Sequence, residues 1–173
     1  THNMKTKSFQ KNIPGGWQET KLSSIGIFSK GSGITKEQLC EKGHNAVRYG
    51  ELYTKHNFQI KKIYSYIPDN IVPYTKQIKY GDILFAGSGE TIDDIGKSAA
   101  YLLNEDCYAG GDKVIFSPKK ANSLFLSYFL NIGEARKKLR ELGQGQSVVL
   151  VPKPAGDGGA QHDRPHRQHR AAE

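Results

Sequence analysis

Gly96-Lys97-Ser98, just after a predicted strand, has the residue types that can wrap a phosphate: free backbone N–H groups, a cation and a hydroxyl. A nucleotide-binding loop needs another glycine five positions earlier. Thr91 stands there, and Asp93 and Asp94 lie where the phosphate would have to approach. Like charges would repel, so nucleotide binding is excluded. The same acids raise the question of metal-dependent cleavage, in which paired carboxylates hold Mg²⁺. The usual partner pattern, Glu-x-Lys on an adjoining strand, does not follow them. Methyl transfer to adenine would need an Asn/Asp-Pro-Pro-aromatic loop and a glycine-rich cofactor loop, and neither is present. Outside the C-terminal tail the histidines are His2, His44 and His56, which leaves no Ser-His-Asp or Cys-His set. No catalytic residue, metal ligand or bound cofactor is expected.

The chemistry that remains is recognition. Lys30, Ser32 and Lys36, with Gly31, Gly33 and Thr35 between them, supply cations and backbone N–H groups suited to phosphates. A second polar run holds Arg48, Tyr49, Glu51, Tyr53, Thr54, Lys55 and His56; a third holds Ser88, Gly89, Glu90 and Thr91. Side chains of these types read base edges: Arg or Lys on guanine, Glu on cytosine, Thr against the thymine methyl. Asp82 is expected to pin the turn before its strand rather than to touch a ligand, and Gly81, Gly96, Gly110 and Gly111 to meet conformational needs.

Charge agrees with a polyanionic partner. The net charge is +8, but it is unevenly laid out. Residues 1–80 carry 13 Lys/Arg against 5 Asp/Glu, residues 81–112 one against seven, and residues 113–150 seven against two. Aromatic residues (9 Tyr, 7 Phe, 1 Trp) are interleaved with the cations. Lys and Arg on such a surface release counterions condensed on a duplex. No apolar run approaches the roughly 20 residues that span a bilayer. The basic start lacks the apolar segment of a signal peptide. Cys40 and Cys107 are in no Cys-x-x-Cys pair and suit a reducing compartment. A cytoplasmic protein is expected.

These side chains need a scaffold. Residues 1–13 read as a polar leader, an expectation from composition. Pro14-Gly15-Gly16-Trp17 is a turn with an aromatic anchor, and residues 18–25 are helical or extended. Thr35 and Gln38 have capping-box spacing. Residues 46–49, 60–67, 83–85 and 114–116 read as strands because β-branched and aromatic residues concentrate there. Pro68-Asp69-Asn70 is a turn. One long helix is expected over residues 123–142, capped by Asn122, striped by Phe125, Phe129, Ile132, Leu139 and Leu142, and stopped at Gly143. Beyond residue 149 the chain is rich in Gly, Pro, Arg and His and should be disordered, a vector-derived or frame-shifted tail. His162, His166 and His169 in it are not expected to bind metal.

In order along residues 14–149, PGGW with a Leu-Ser-Ser-Ile segment, SKGSGITKEQL, AVRYGELYT, GDILFAGSGETIDDIGKSAAY, YAGGDKVIF, LSYFLN and GQGQSVV resemble a target recognition domain. The family is the DNA specificity subunit of type I restriction–modification enzymes. The resemblance implies an α/β fold: a single globular recognition domain with a mixed, mostly antiparallel sheet, flanking helices and a disordered C-terminal tail. It implies a non-catalytic module that reads one half of a bipartite site on double-stranded DNA. Methyltransferase and restriction subunits would be its partners, with S-adenosylmethionine and ATP belonging to them. A complete specificity subunit has two recognition halves joined by long helices. One half is legible here, so a truncated or half-subunit is expected, with a second half as a further partner. The alternative is a protein-interaction module, in which the helix over residues 123–142 docks a methyltransferase without autonomous DNA reading.

Overall fold

The computed structural model describes residues 13–31, 34–87, 93–110, 113–142 and 148–152. The chain forms β1 (Trp17–Lys21), α1 (Leu22–Ile25), β2 (Gly26–Lys30), β3 (His44–Val47), α2 (Glu51–Thr54), β4 (Gln59–Ile60) and β5 (Ser65–Ile67). It continues with β6 (Lys76–Ile78), β7 (Ile83–Ala86), β8 (Ser98–Tyr101), β9 (Cys107–Ala109), β10 (Lys113–Pro118), α3 (Ser123–Leu130), α4 (Gly133–Leu142) and β11 (Val148–Pro152).

The strands make a five-stranded sheet in the order β2-β10-β7-β8-β4, a four-stranded sheet in the order β5-β3-β9-β6, and the pair β1-β11. Pairs β3–β9 and β4–β8 are parallel and the other named pairs antiparallel. The expected α/β fold with mixed, mostly antiparallel pairing and flanking helices therefore holds, with the strands shared among three sheets rather than one.

Strand periodicity explains the layers. Successive side chains of a strand face opposite sides, and β7 and β8 are buried throughout, on both faces. Ile83 and Phe85 join Ala100, Phe116, Leu126, Leu130 and Leu139 in one core. Leu84 and Ala86 join Ala99, Tyr101, Ile115, Val47, Ile78 and Ala109 in the other. The five-stranded sheet is thus the middle layer, with α3 and α4 on one face and the four-stranded sheet with α2 on the other. Apolar runs such as Ile83-Leu84-Phe85-Ala86 are what a sheet covered on both sides requires.

Several local expectations are met. The capping box forms, with the Thr35 N–H donating to Gln38 Oε1 at 2.9 Å, although the turn it opens is a single 3-10 turn, Lys36–Gln38. Asn122 caps α3 by accepting from the Phe125 N–H at 2.9 Å. Asp82 pins its turn, accepting from the Lys79 N–H at 2.8 Å and from the Ser117 hydroxyl at 2.6 Å. Gly81 and Gly96 have φ of +90° and +74°, where a Cβ is unfavourable.

Other expectations are corrected. The segment 60–67 is two strands, β4 and β5, which belong to different sheets. The helix expected over residues 123–142 is two helices, broken at Asn131-Ile132 before Gly133, whose φ is +52°. Asn131 ends α3 by turning its amide onto β8. Its Nδ2 donates to Ser98 O at 2.8 Å, Ser98 Oγ at 2.9 Å and Ser127 O at 2.7 Å, while Oδ1 accepts from the Ser98 N–H at 3.1 Å. The buried stripe is rephased accordingly. Leu126, Leu130 and Leu139 are fully buried, Phe125 and Phe129 pack at the margin, and Ile132 is exposed. Antiparallel pairing of β11 with β1 continues to Pro152, past the boundary expected at residue 149. Gly143 and the tail histidines lie outside the described residues.

Candidate nucleic-acid interface

Lys113 is the centre of the site. Its side chain is wholly buried, and its ammonium donates to the carbonyls of Val47 and, at 2.6 Å, Gly110. Its own carbonyl accepts from the Gly31 N–H at 2.9 Å, and it lies opposite Ala86 in the β10–β7 ladder. The C-terminal ends of β2, β3, β7 and β9 therefore meet around one lysine. Gly110 is pressed so closely by Ile34 that a Cβ there has no room. The chain segments leaving these strands are those at 31–35, 48–50 and 87 onward. The described parts of the first two polar runs therefore begin at the same end of the molecule, and the third, 88–91, lies outside the described residues.

Burial pushes the Lys113 ammonium down to about 7, against the opposing pull of Glu51. Glu51 is itself buried and fully engaged. It accepts from the Arg48 N–H at 2.8 Å and the Ser65 hydroxyl at 2.5 Å, so it shapes the loop from within rather than facing a ligand. His56 is also buried, which lowers its pKa.

The other expected site residues divide. Lys30 is exposed at the end of β2, and Lys36 is exposed at the start of the 3-10 turn. Arg48 and Tyr49 are half-buried in the link from β3 to α2. The Tyr49 ring stands edge-on to Tyr53 with centroids 5.4 Å apart. The Thr54 hydroxyl is spent within α2, donating to Gly50 O at 2.7 Å. Lys55 is drawn toward a different group of side chains, with Nζ 6.0 Å from the centre of the Tyr64 ring. Ser32, Ser88, Glu90 and Thr91 lie outside the described residues.

Two features escaped sequence reasoning. Lys113 precedes Val114-Ile115-Phe116 and reads as an ordinary charged strand start; nothing local announces its burial. The group around Tyr64, which includes Lys61, Lys62 and Tyr128, joins residues more than sixty positions apart.

No protein-family model matches the chain. It is 27% identical over 148 residues to the type I restriction enzyme EcoKI specificity subunit of Escherichia coli (strain K12). It is 26% identical over 148 residues to the StySPI specificity subunit of Salmonella potsdam. Each match covers 83% of this chain but 31% of the relative, so the chain spans about a third of the length of these proteins. Among solved structures, the HsdS subunit from Thermoanaerobacter tengcongensis superposes with a TM-score of 0.57 at 14% identity, over 84% of this chain and 36% of that one. The type I S subunit from M. genitalium gives a TM-score of 0.53 at 12% identity, over 80% and 35%. By sequence, and with the same fold, the chain is homologous over most of its length to part of the specificity subunits of type I restriction enzymes.

Proposed function

We propose that this chain is a DNA target recognition domain, part of or one half of a type I specificity subunit. It would direct methyltransferase and restriction subunits to one half of a split site. The observation that supports this reading is the meeting of the ends of β2, β3, β7 and β9 around Lys113, where the described parts of two polar runs leave a basic, homologous scaffold. Lys30, Lys36 and Arg48 would hold phosphates, and side chains of the 48–55 and 88–91 segments would meet base edges. Methyl transfer and cleavage would belong to the partner subunits, and the chain itself would work in the cytoplasm. Among the described residues no helix is long and apolar enough to cross a membrane.

The rival reading, a docking helix over residues 123–142, is not favoured. That segment is broken, and Leu126, Leu130 and Leu139 are spent on the core. The test is co-purification with methyltransferase subunits encoded beside the chain, then mapping of methylated adenines. Methylation at one recurring half-site that disappears when the chain is omitted is expected. Methylation that does not depend on the chain would refute the proposal.

A further inference from the structure

β4 is the outer strand of the five-stranded sheet, and the chain around it concentrates cations and rings. Lys55, Phe58, Lys61, Lys62 and Tyr64 all fall within ten residues, and Tyr128 of α3 crosses to stack on Phe58 at 4.4 Å and 29°. Together they line a cavity of about 370 Å³, within the range of roughly 300–1,000 Å³ that small ligands occupy. Tyr64 and Tyr128 are 46% and 47% exposed. The Lys62 ammonium stands 5.5 Å from the Tyr64 ring centre.

No carboxylate lines this cavity, and among the described residues none of its three lysines is paired with one. The adjoining cavity differs. Its Lys97 is tied to Asp94 at 2.9 Å, and its Arg136 donates to the carbonyls of Asp93 and Ile95. His56, Asn57 and Phe58 line both cavities, and His56 is 6% exposed, its Nε2 buried with no hydrogen-bond partner among the described residues. Leaving such a group unsatisfied costs about 1–3 kcal/mol. Lysines beside an outer strand also discourage strand-to-strand aggregation. That role accounts for Lys61 and Lys62 but for neither the half-exposed tyrosine rings nor the His56 nitrogen without a hydrogen-bond partner among the described residues.

The geometry points to a site for an unpaired nucleotide, its phosphate held by Lys55, Lys61 and Lys62 above His56 and its base stacked on Tyr64 or Tyr128. Cations beside exposed rings are the means by which proteins hold single strands without reading sequence. The inference rests on the DNA-binding reading above and adds a second mode on the same polymer.

The whole chain is titrated by fluorescence anisotropy with a short oligothymidylate, an abasic strand of equal length and a duplex. Tyr64→Ala/Tyr128→Ala and Lys61→Ala/Lys62→Ala are compared with Tyr64→Phe/Tyr128→Phe. Circular dichroism confirms that each variant is folded. The alanine variants should lose about tenfold or more toward oligothymidylate and less than about twofold toward the duplex, with the phenylalanine pair retaining binding. Unchanged oligothymidylate affinity, equal losses on oligothymidylate and duplex, or an abasic strand bound as tightly as oligothymidylate would each overturn the proposal. Duplex binding absent while ring-sensitive oligothymidylate binding persists would instead remove the half-site reading and sustain the groove.

Discussion

Lys113 is wholly buried, its charge stabilised by two carbonyls and the field of Glu51. Its protonation should therefore register in stability. Burial depresses the folded-state value to about 7, below the ordinary 10.5 that the unfolded chain retains. Between those values the unfolded state holds the extra proton, so the free energy of unfolding should increase as pH rises through that window. Urea midpoints measured from pH 7 to pH 9.5 should climb in the parent, and Lys113→Met should lack that climb. At pH 7 the same substitution orphans the Val47 and Gly110 carbonyls and should cost about 1–3 kcal/mol. Duplex affinity should fall as well, because the loops lose their common anchor.

At the scale of elements, the break between α3 and α4 is maintained by one amide. Asn131→Ala would remove four hydrogen bonds to Ser98 and Ser127, leaving the Ser98 N–H without this acceptor and the Ser98 carbonyl with only the 3.5 Å Ser127 hydroxyl. A loss of about 2 kcal/mol is expected in denaturant titration. Asn131→Asp should be at least as damaging, since a carboxylate facing the Ser98 carbonyl repels where the amide donated. Gly96 closes the loop back onto β7, its N–H donating to Ala86 O at 2.8 Å. A Cβ there would stand 3.1 Å from Arg136 Nη1 and 3.3 Å from Leu139 Cβ. With φ at +74°, Gly96→Ala should cost about 1–2 kcal/mol, read as a lowered Tm.

For the whole molecule, the net charge of +8 together with the proposed DNA reading implies binding that salt opposes. The logarithm of the duplex affinity should fall by about 0.9 per tenfold rise in salt for each phosphate neutralised. Replacing Lys36, Arg48 and Lys55 together by alanine should flatten that slope by up to about three phosphates' worth without unfolding the protein. A slope unchanged by the triple substitution would show that these cations do not meet the backbone. A contribution from Lys55 smaller than those of Lys36 and Arg48 would fit its place in the groove beside Tyr64 rather than at the loop end.

Two strands of the central sheet, β7 and β10, were legible in sequence because apolar runs such as Ile83-Leu84-Phe85 have one stable use, burial on both faces of a sheet. So were the capping box at Thr35, the cap at Asn122, the pinning role of Asp82 and the glycine at 96, since each depends on partners a few residues away or on its own φ. The ordered set of loop segments that marks the family is likewise a property of the string. What the string could not state is which distant residues share a layer. Asn131-Ile132-Gly133 was a visible hint of a break, but the reason for it is Ser98, thirty-three positions earlier. The burial of Lys113, the inward turn of Glu51 and the meeting of Tyr128 with Phe58 are decided only when strands pair across the sheets. Local chemistry chose the elements; long-range burial chose which of their side chains stay at the surface.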